Sequence, residues 1–411
     1  MTLERRPSGR RQADADLDAR HAAQLRALNL DRVLRFAMSR AAAFTRTEVI
    51  EATGLSAPTV GTLCSHLIRS GILSDLGAGP SRGGRRPSFM EFNARHAYVA
   101  GIDIGVTKTR LALADLRGER VADCVVHTPA ARAPADTVSR IGAELKTLMR
   151  AARVAASRLI AVGAGAPGVV DRALGVVVAL APNLKGWSDV PMANILQRAL
   201  GAPVVVDNDV NLAVLGEHWR GAARGHDSCA FISVGNGIGA GILINGEVHH
   251  GRHFLAGEIA LMCMGPQYVD AEYGARGCLE TLAGAKAIAA RWAQAGHDGT
   301  EGGIRPLVDA AAAGDESARR IVDDTATLIG MATANLSVVL DPSLIVLGGT
   351  VFSQAPEIAE DVRRIVAHIV PTPSPIVVST LFREASLWGA LLVATREGRA
   401  RLRRQLRQQT T

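Results

Sequence analysis

The sequence predicts a mixed α/β protein in two parts: a small domain of three helices and a hairpin, then two related α/β lobes around a cleft. Three observations carry this. Capped, one-faced apolar helices fill the stretch from Leu25 to about Gly71. Beyond residue 97, a strand-turn-strand opening followed by helix-strand alternation occurs twice. The 42 glycines suggest many tight turns.

With 411 residues the chain has room for two or three domains and a sizeable core. Its hydrophobic share of 48% and charged share of 21% are those of an ordinary water-soluble protein. No apolar run approaches the roughly 18 residues of a membrane helix, and "MTLERRPSGRRQADADLDAR" has no signal-peptide core, so a cytoplasmic protein is expected. Five scattered cysteines without a CxxC fit a reducing compartment. The net charge of +7 permits a polyanionic partner. Arg-rich ends carry part of it, and residues 1–24 and 401–411 read as a disordered basic arm and a basic tail.

The first domain is expected over residues 25–92. Leu30, Val33, Leu34, Ala37 and Met38 recur on one helical face. Thr45 and Glu48 have capping-box spacing and open a short helix that Gly54 ends. Ser56 is the candidate N-cap of a third helix whose buried stripe is Val60, Leu63, Cys64, Leu67 and Ile68. Its outward face, Thr59, Thr62, Ser65, His66 and Arg69, is small and polar near its start, as a recognition helix requires. The hairpin "GILSDLGAGPSRGGRRPSFMEF" follows, with Arg82, Arg85 and Arg86 in its loop, a wing suited to phosphates or the minor groove. A trihelical adaptor shares the stripes, but the wing and polar helix favour DNA. Ser56, Thr59, Thr62, Arg82, Arg85 and Arg86 are the candidate DNA contacts.

The second domain is expected over residues 97–400. "YVAGIDI", "RLALADL" and "RVADCVVH" read as consecutive strands, an Ala-rich helix follows over about Ala135–Ala156, and "LIAVGAGAPG" and "PVVVDND" are further strands. "CAFISVGNGIGAGILINGEV" begins the pattern again. A helix-rich stretch from Cys278 to Leu340 then precedes the strand "SLIVLGG". "GIDIGVTKTR" is a turn shaped for phosphate, yet Val106 puts a branched side chain where close approach usually wants none.

"DIGVTK", "GAGAPGVVD", "APNLKGW", "VVVDNDVNLAVLGEHW", "SVGNGIGAGIL", "AGEIA", "RGCLE" and "DPSLIVLGG" occur in the order seen in the ROK family of repressors, open reading frames and sugar kinases. The chain resembles that family over about residues 25–400, and "TGLSAPTVGTL…GGRRP" resembles its sugar-responsive repressor branch. The resemblance implies an α/β fold: an N-terminal winged helix-turn-helix, then a two-lobed actin/hexokinase-like domain of ribonuclease-H type.

The resemblance also implies a site. Asn208 and Asp209 match a sugar-contacting Asn and the Asp that serves kinases as base; read locally, either residue caps a helix. Glu258 and Glu280 match two further sugar-contacting acids, whose carboxylates suit vicinal hydroxyls. The chain departs from the family at Leu261, where a histidine contacts both sugar and zinc, and at Ala271 and Tyr273, where cysteines stand. Cys278 is then the one zinc ligand left, and a structural zinc needs about four, so no metal is expected. The "HHGRH" histidines (His249, His250, His253) read as hydrogen-bonded loop residues.

Of the two phosphate loops, Asp103, Gly105, Thr107, Lys108, Gly235, Gly237 and Gly239 remain, while Val106 and Asn236 replace a glycine and a threonine. No ATP or other cofactor is therefore expected, and Asp209 is a vestigial base position. The function expected is a DNA-binding transcriptional regulator, a repressor, sensing a sugar or sugar derivative and acting on operator DNA as a homodimer or homotetramer. The alternatives are an active ATP-dependent sugar kinase with an appended DNA-binding domain, and a regulator whose pocket no longer binds sugar.

Overall fold

The computed structural model describes residues 9–78, 88–128, 133–180, 184, 186–297 and 303–408. By contact the chain divides into two units, the first taking residues 1–98, 115–119 and 395–411 and the second the remainder.

In the first unit, helix α1 (Gly9–Ser39) buries Leu30, Val33, Leu34, Ala37 and Met38 along one face. Strand β1 (Phe44–Thr45) leads into α2 (Arg46–Thr53), opened by a full capping box: Thr45 accepts from the Glu48 amide, and Glu48 accepts from the Thr45 amide. Gly54, at φ 68°, ends it in the left-handed conformation. Ser56 caps α3 (Ala57–Arg69), whose Val60, Leu63, Cys64 and Leu67 are buried while Ile68 is half-buried. Strands β2 (Leu73–Ala78) and β3 (Ser88–Phe92) then form a three-stranded antiparallel sheet with β1, in the order β1-β3-β2. On the central strand Met90 and Phe92 are buried at alternate positions, as the two-residue strand period demands. Up to Phe92 the described part of this unit is thus three helices and a three-stranded antiparallel sheet. The hairpin loop with Arg82, Arg85 and Arg86 lies outside the described residues.

Both ends differ from the sequence expectation. The arm assigned to residues 1–24 is helical from Gly9 onward, because after Gly9 the chain is Ala-, Leu-, Arg- and Gln-rich and free of Gly and Pro. The tail assigned to 401–411 continues a helix, Ala385–Gln408, whose second half belongs to the first unit and buries Leu402 and Leu406. Arg403 and Arg407, beside those leucines, are not solvated tail residues. Asp31, only 4% exposed on α1, accepts from Arg403 Nε at 2.6 Å, Arg407 Nη2 at 2.6 Å and Arg35 Nε at 2.8 Å.

The second unit contains two five-stranded sheets. The first is built from β4 (Tyr98–Ile104), β5 (Lys108–Asp115), β6 (Arg120–His127), β7 (Leu159–Ala166) and β10 (Val204–Asn208), in the order β6-β5-β4-β7-β10. A small hairpin of β8 (Val169–Asp171) and β9 (Val176–Ala179) stands apart from it. The second sheet comprises β11 (Cys229–Val234), β12 (Ile238–Ile244), β13 (Glu247–Val248), β14 (Leu344–Gly348) and β15 (Ile376–Val378), in the order β13-β12-β11-β14-β15. Each lobe thus places its first strand centrally, its next two outward on one side and its last two on the other. The two lobes repeat one topology, as the doubled sequence pattern implies. The Ala-rich helix runs over Pro134–Ala151, ending earlier than its composition suggests, and helix Asp209–Arg220 packs on β11 and β12.

Burial raises the pKa of Asp31, but hydrogen bonds from Arg403, Arg407 and Arg35 overcome it and hold the carboxyl at about 2. Because the folded value lies below the ordinary 3.8, the stability it contributes is present above that value and lost as pH falls toward 2. Asp31→Asn should therefore destabilise the first unit by about 2–4 kcal/mol at neutral pH and weaken its acid sensitivity. Urea unfolding at neutral and acid pH measures both, and an unchanged midpoint would refute the assignment.

Candidate functional site

One cavity of about 430 Å³ in the second unit gathers the sequence-predicted ligand and phosphate-loop residues. Its size is that of a small-molecule site. Asn208, Asp209, Glu258 and Glu280 line it, as do Asp103, Gly105, Thr107 and Lys108 from the first turn and Gly235, Gly237 and Gly239 from the second. So do the departures Val106, Asn236 and Leu261, the last 44% exposed.

Local structure explains each placement. Strand β10 ends at Asn208 and the next helix begins at Asp209, so both side chains emerge at the carboxyl end of a strand. Asn208 does cap that helix: its Oδ1 accepts from the Val210 and Asn211 amides, and its Nδ2 donates to the Gly168 carbonyl at 2.9 Å. Its acceptor oxygen is thereby committed, leaving one N–H for a ligand. Beneath it, buried Asp207 accepts from His250 Nε2 at 2.9 Å, from Asn211 Nδ2 at 3.2 Å and from the Asn208 amide at 2.8 Å. His250 of the "HHGRH" cluster is thus a hydrogen-bonded loop residue that braces this corner.

Glu280, 8% exposed on helix Cys278–Ala283, accepts from the Ile238 amide through Oε2, while its Oε1 is buried without a partner. Such a lone acceptor is costly unless a ligand supplies a donor. Asp103 on β4 pairs with Arg110 Nη1 at 3.4 Å. In the turn between β4 and β5, the Gly105 amide donates to the Lys108 carbonyl, and a Cβ on Gly105 would lie 2.7 Å from that oxygen. Glycine is required there by close approach. Cys278 begins its helix, 3% exposed in the core beside Leu279 and Ala283, and Tyr273 Oη donates to the Tyr268 carbonyl.

The carboxylates perturb one another. Burial, then the charge of Asp103 and that of Glu258, push Asp209 up to about 7; burial, then Glu280, push Glu258 to about 7. Burial also raises Glu280 and Asp103, against the pull of Arg276 and Arg110 respectively.

Sequence reasoning missed other lining residues: Arg110, Phe254, Phe382 and Arg383. Phe254 and Phe382 have φ of 60° and 50°, a backbone conformation without a sequence signal in a phenylalanine. Arg110 was legible in principle, two residues beyond Lys108 on the same face of β5.

The ROK family model matches residues 99–397. The chain belongs to the ROK family. Among curated ROK relatives, the xylose repressor of Caldicellulosiruptor bescii is 29% identical, the match covering 74% of this chain and 78% of that protein. The glucokinase of Halalkalibacterium halodurans is 34% identical, over 62% of this chain and 80% of that protein. A solved ROK family transcriptional regulator, a homolog of the E. coli MLC protein, superposes with a TM-score of 0.74 at 23% identity, covering 92% of this chain and 99% of that one; at this identity the likeness is one of fold.

In the first unit, Thr62, Ser65 and Arg69 are exposed along α3, and Arg46 and Asp75 border the same surface. Thr59 is half-buried, sharing a 2.8 Å hydrogen bond with Ser56, whose hydroxyl also caps the helix. His66 departs from the outward face assigned to it: it is half-buried, its Nε2 enclosed without a partner.

The raised acids give a pH dependence. Unfolded, Asp209 and Glu258 release protons near 3.8 and 4.5; folded, both hold them to about 7. Their contribution to stability is complete below the unfolded values and is lost as pH rises through about 7. The melting temperature of the ligand-free protein should fall between about pH 5 and pH 8, and Asp209→Asn/Glu258→Gln should flatten that slope. A melting temperature that rises over this range in the parent protein would contradict the assignment.

Proposed function

We propose that this chain is a DNA-binding transcriptional regulator, a repressor, whose ROK domain senses a sugar or sugar derivative. One combination supports the reading: a single chain joins a three-helix unit, whose third helix exposes Thr62, Ser65 and Arg69, to a cavity lined by Asn208, Asp209, Glu258 and Glu280 with Val106 and Asn236 in its turns. The similarity to named xylose repressors supports it. In this reading the protein is cytoplasmic and acts as a homodimer or homotetramer on paired operator half-sites; no described helix is long and apolar enough to cross a membrane. Ligand acts by binding the DNA-bound and free forms unequally.

The DNA contacts assigned are Ser56, Thr59 and Thr62 with wing residues Arg82, Arg85 and Arg86, to which Arg46 and Arg69 are added by their place beside Thr62. Ser56 serves mainly by holding the start of α3. Thr62→Ala should change the preferred operator sequence, and Arg85→Ala/Arg86→Ala should weaken binding to all sequences and lower the salt slope by about 1–2. Fluorescence anisotropy against operator and random DNA over a salt series measures this; unchanged affinity and slope in the double variant would refute the wing assignment.

No zinc is proposed, since Leu261, Ala271 and Tyr273 hold three ligand positions and offer no thiolate or imidazole. No kinase activity is proposed either. Phosphoryl transfer requires backbone amides close to the transferring group, and Val106 and Asn236 both stand in that cradle. One observation favours the kinase reading: Asp209 faces the cavity with a carboxyl near neutrality, as a base would. A coupled ADP-release assay with Mg-ATP over a sugar panel should show no turnover above background. Turnover abolished by Asp209→Asn would establish the kinase instead.

A further inference from the structure

The chain passes from one unit to the other at four places, and none of them is a linker. The divisions fall at Tyr98/Val99 within β4, at Ala114/Asp115 within β5, at Glu119/Arg120 where β6 starts, and at Ala394/Thr395 within helix Ala385–Gln408. Independent domains are ordinarily joined through exposed Pro-, Gly- or polar-rich segments. Here strands and a helix carry the chain across. The first unit is therefore completed by two segments returned to it, residues 115–119 and 395–408.

Residues 115–119 form a turn that fixes itself and then grips its surroundings. Asp115 Oδ1 accepts from the Arg117 and Glu119 amides, at 2.8 and 3.1 Å. The Arg117 side chain donates through Nη1 to the carbonyl of Arg40, just past α1, at 2.5 Å. Its Nη2 donates to Glu91 at 3.3 Å and to the Phe92 carbonyl at 3.4 Å, both on β3. The guanidinium also lies 5.8 Å from the centre of the Phe92 ring. The Leu116 amide donates to the Ala94 carbonyl, and the Leu116 carbonyl accepts from Arg399 Nε at 2.6 Å. Arg399 belongs to the second returned segment, which buries Leu402 and Leu406 and reaches α1 through Arg403 and Arg407 on Asp31. The two segments thus meet at Leu116. Together they bracket α1 and β3, the strand that follows Arg82, Arg85 and Arg86 in the sequence.

We propose that this bracket is the regulatory link to DNA binding: the second unit acts on the first by tightening or loosening residues 115–119 and 395–408 on α1 and β3. Control of DNA binding rests on the function proposed above; the bracket itself does not. Each returned segment continues an element whose other end lines the cavity. Strand β5 begins at Lys108 and the helix at Ala385 and Ser386, and all three residues line it. A hydrogen-bonded strand and a helix transmit a displacement that a flexible linker would absorb. The ligand then needs no contact with the first unit, only unequal affinity for the two states of the bracket. Such coupling is reciprocal. DNA held by the first unit must therefore be felt at the cavity ends of β5 and of the helix.

The test is amide hydrogen exchange, read by mass spectrometry on the full chain with and without a duplex that the parent protein selects from a randomised library. The duplex should slow exchange about tenfold or more in α3 and in both returned segments, and also in residues 108–114 and 385–394. Arg117→Ala/Arg399→Ala should remove the slowing at 108–114 and 385–394 while α3 stays protected by the duplex. Arg117→Lys keeps the charge without the fork, and should retain duplex binding with a partial loss at those two stretches; it decides the matter if the double variant no longer holds the duplex. Slowing confined to residues 46–92 in the parent would overturn this proposal while sustaining DNA binding. So would variants whose exchange follows the parent's at every stretch. Selection of no duplex would overturn the DNA-binding reading and this proposal with it.

Discussion

The second unit depends on a backbone-to-backbone contact that only glycine allows. The helix beginning at Ala385 lies so close to helix Asp209–Arg220 that a Cβ on Gly216 would overlap the Ala385 carbonyl oxygen, and one on Gly389 the Leu212 carbonyl. On strand β7, Gly163 makes the same allowance for the Ala390 carbonyl. These three positions lock two helices and a strand at a separation no side chain could share. The cavity inherits its precision from that lock: Asp209 starts one helix, Ala385 and Ser386 start the other, and all three line the cavity.

Precision matters because the cavity is electrostatically expensive. Burying several acids in one small volume is tolerable only if protons, cations or ligand donors offset them. Arg110 offsets Asp103, the Ile238 amide offsets half of Glu280, and protons retained to about neutral pH offset Asp209 and Glu258. The remainder is an unmet demand for donors. On the function proposed here, that demand would be met by a hydroxyl-bearing ligand, at the cost of stability in the empty state.

Much of this was legible in the sequence, for identifiable reasons. Capping residues announce themselves locally, so Thr45, Glu48, Gly54 and Ser56 mark their helices where the structure has them. The doubled strand-turn-strand pattern gives two lobes of one topology because hydrophobic period and Gly-rich turns are also local signals. The phosphate-turn residues, Asn208 and Asp209 converge on the cavity because they sit at strand ends, whereas Glu258 comes from a loop and Glu280 from a helix. What was not legible depends on distant pairing. Nothing near Asp31 foretells Arg403 and Arg407, so both charged ends read as solvated arms, although one is helix and the other packed. Phe382 and Arg383 face the cavity through a strained turn whose constraints, Glu217 and Arg120, come from other elements.

The altered phosphate turns acquire a physical sense when catalysis and sensing are compared. A kinase must bind the transition state better than the ground state, so its backbone amides must meet oxygens that move during the reaction. A valine in that cradle is then a serious defect. A sensor has no moving oxygens to follow. Its binding energy is useful only as a difference between two forms of the protein. Such a difference can be carried by the side chains that line the cavity, with no demand on turn geometry beyond the fold itself. On the reading proposed here, Val106 and Asn236 weaken what a sensor does not use, whereas Asp209, Glu258 and Glu280 hold the ligand in either role. The same reasoning accounts for a retained Asp209: a carboxyl poised near neutrality accepts or donates a hydrogen bond to a hydroxyl without transferring anything.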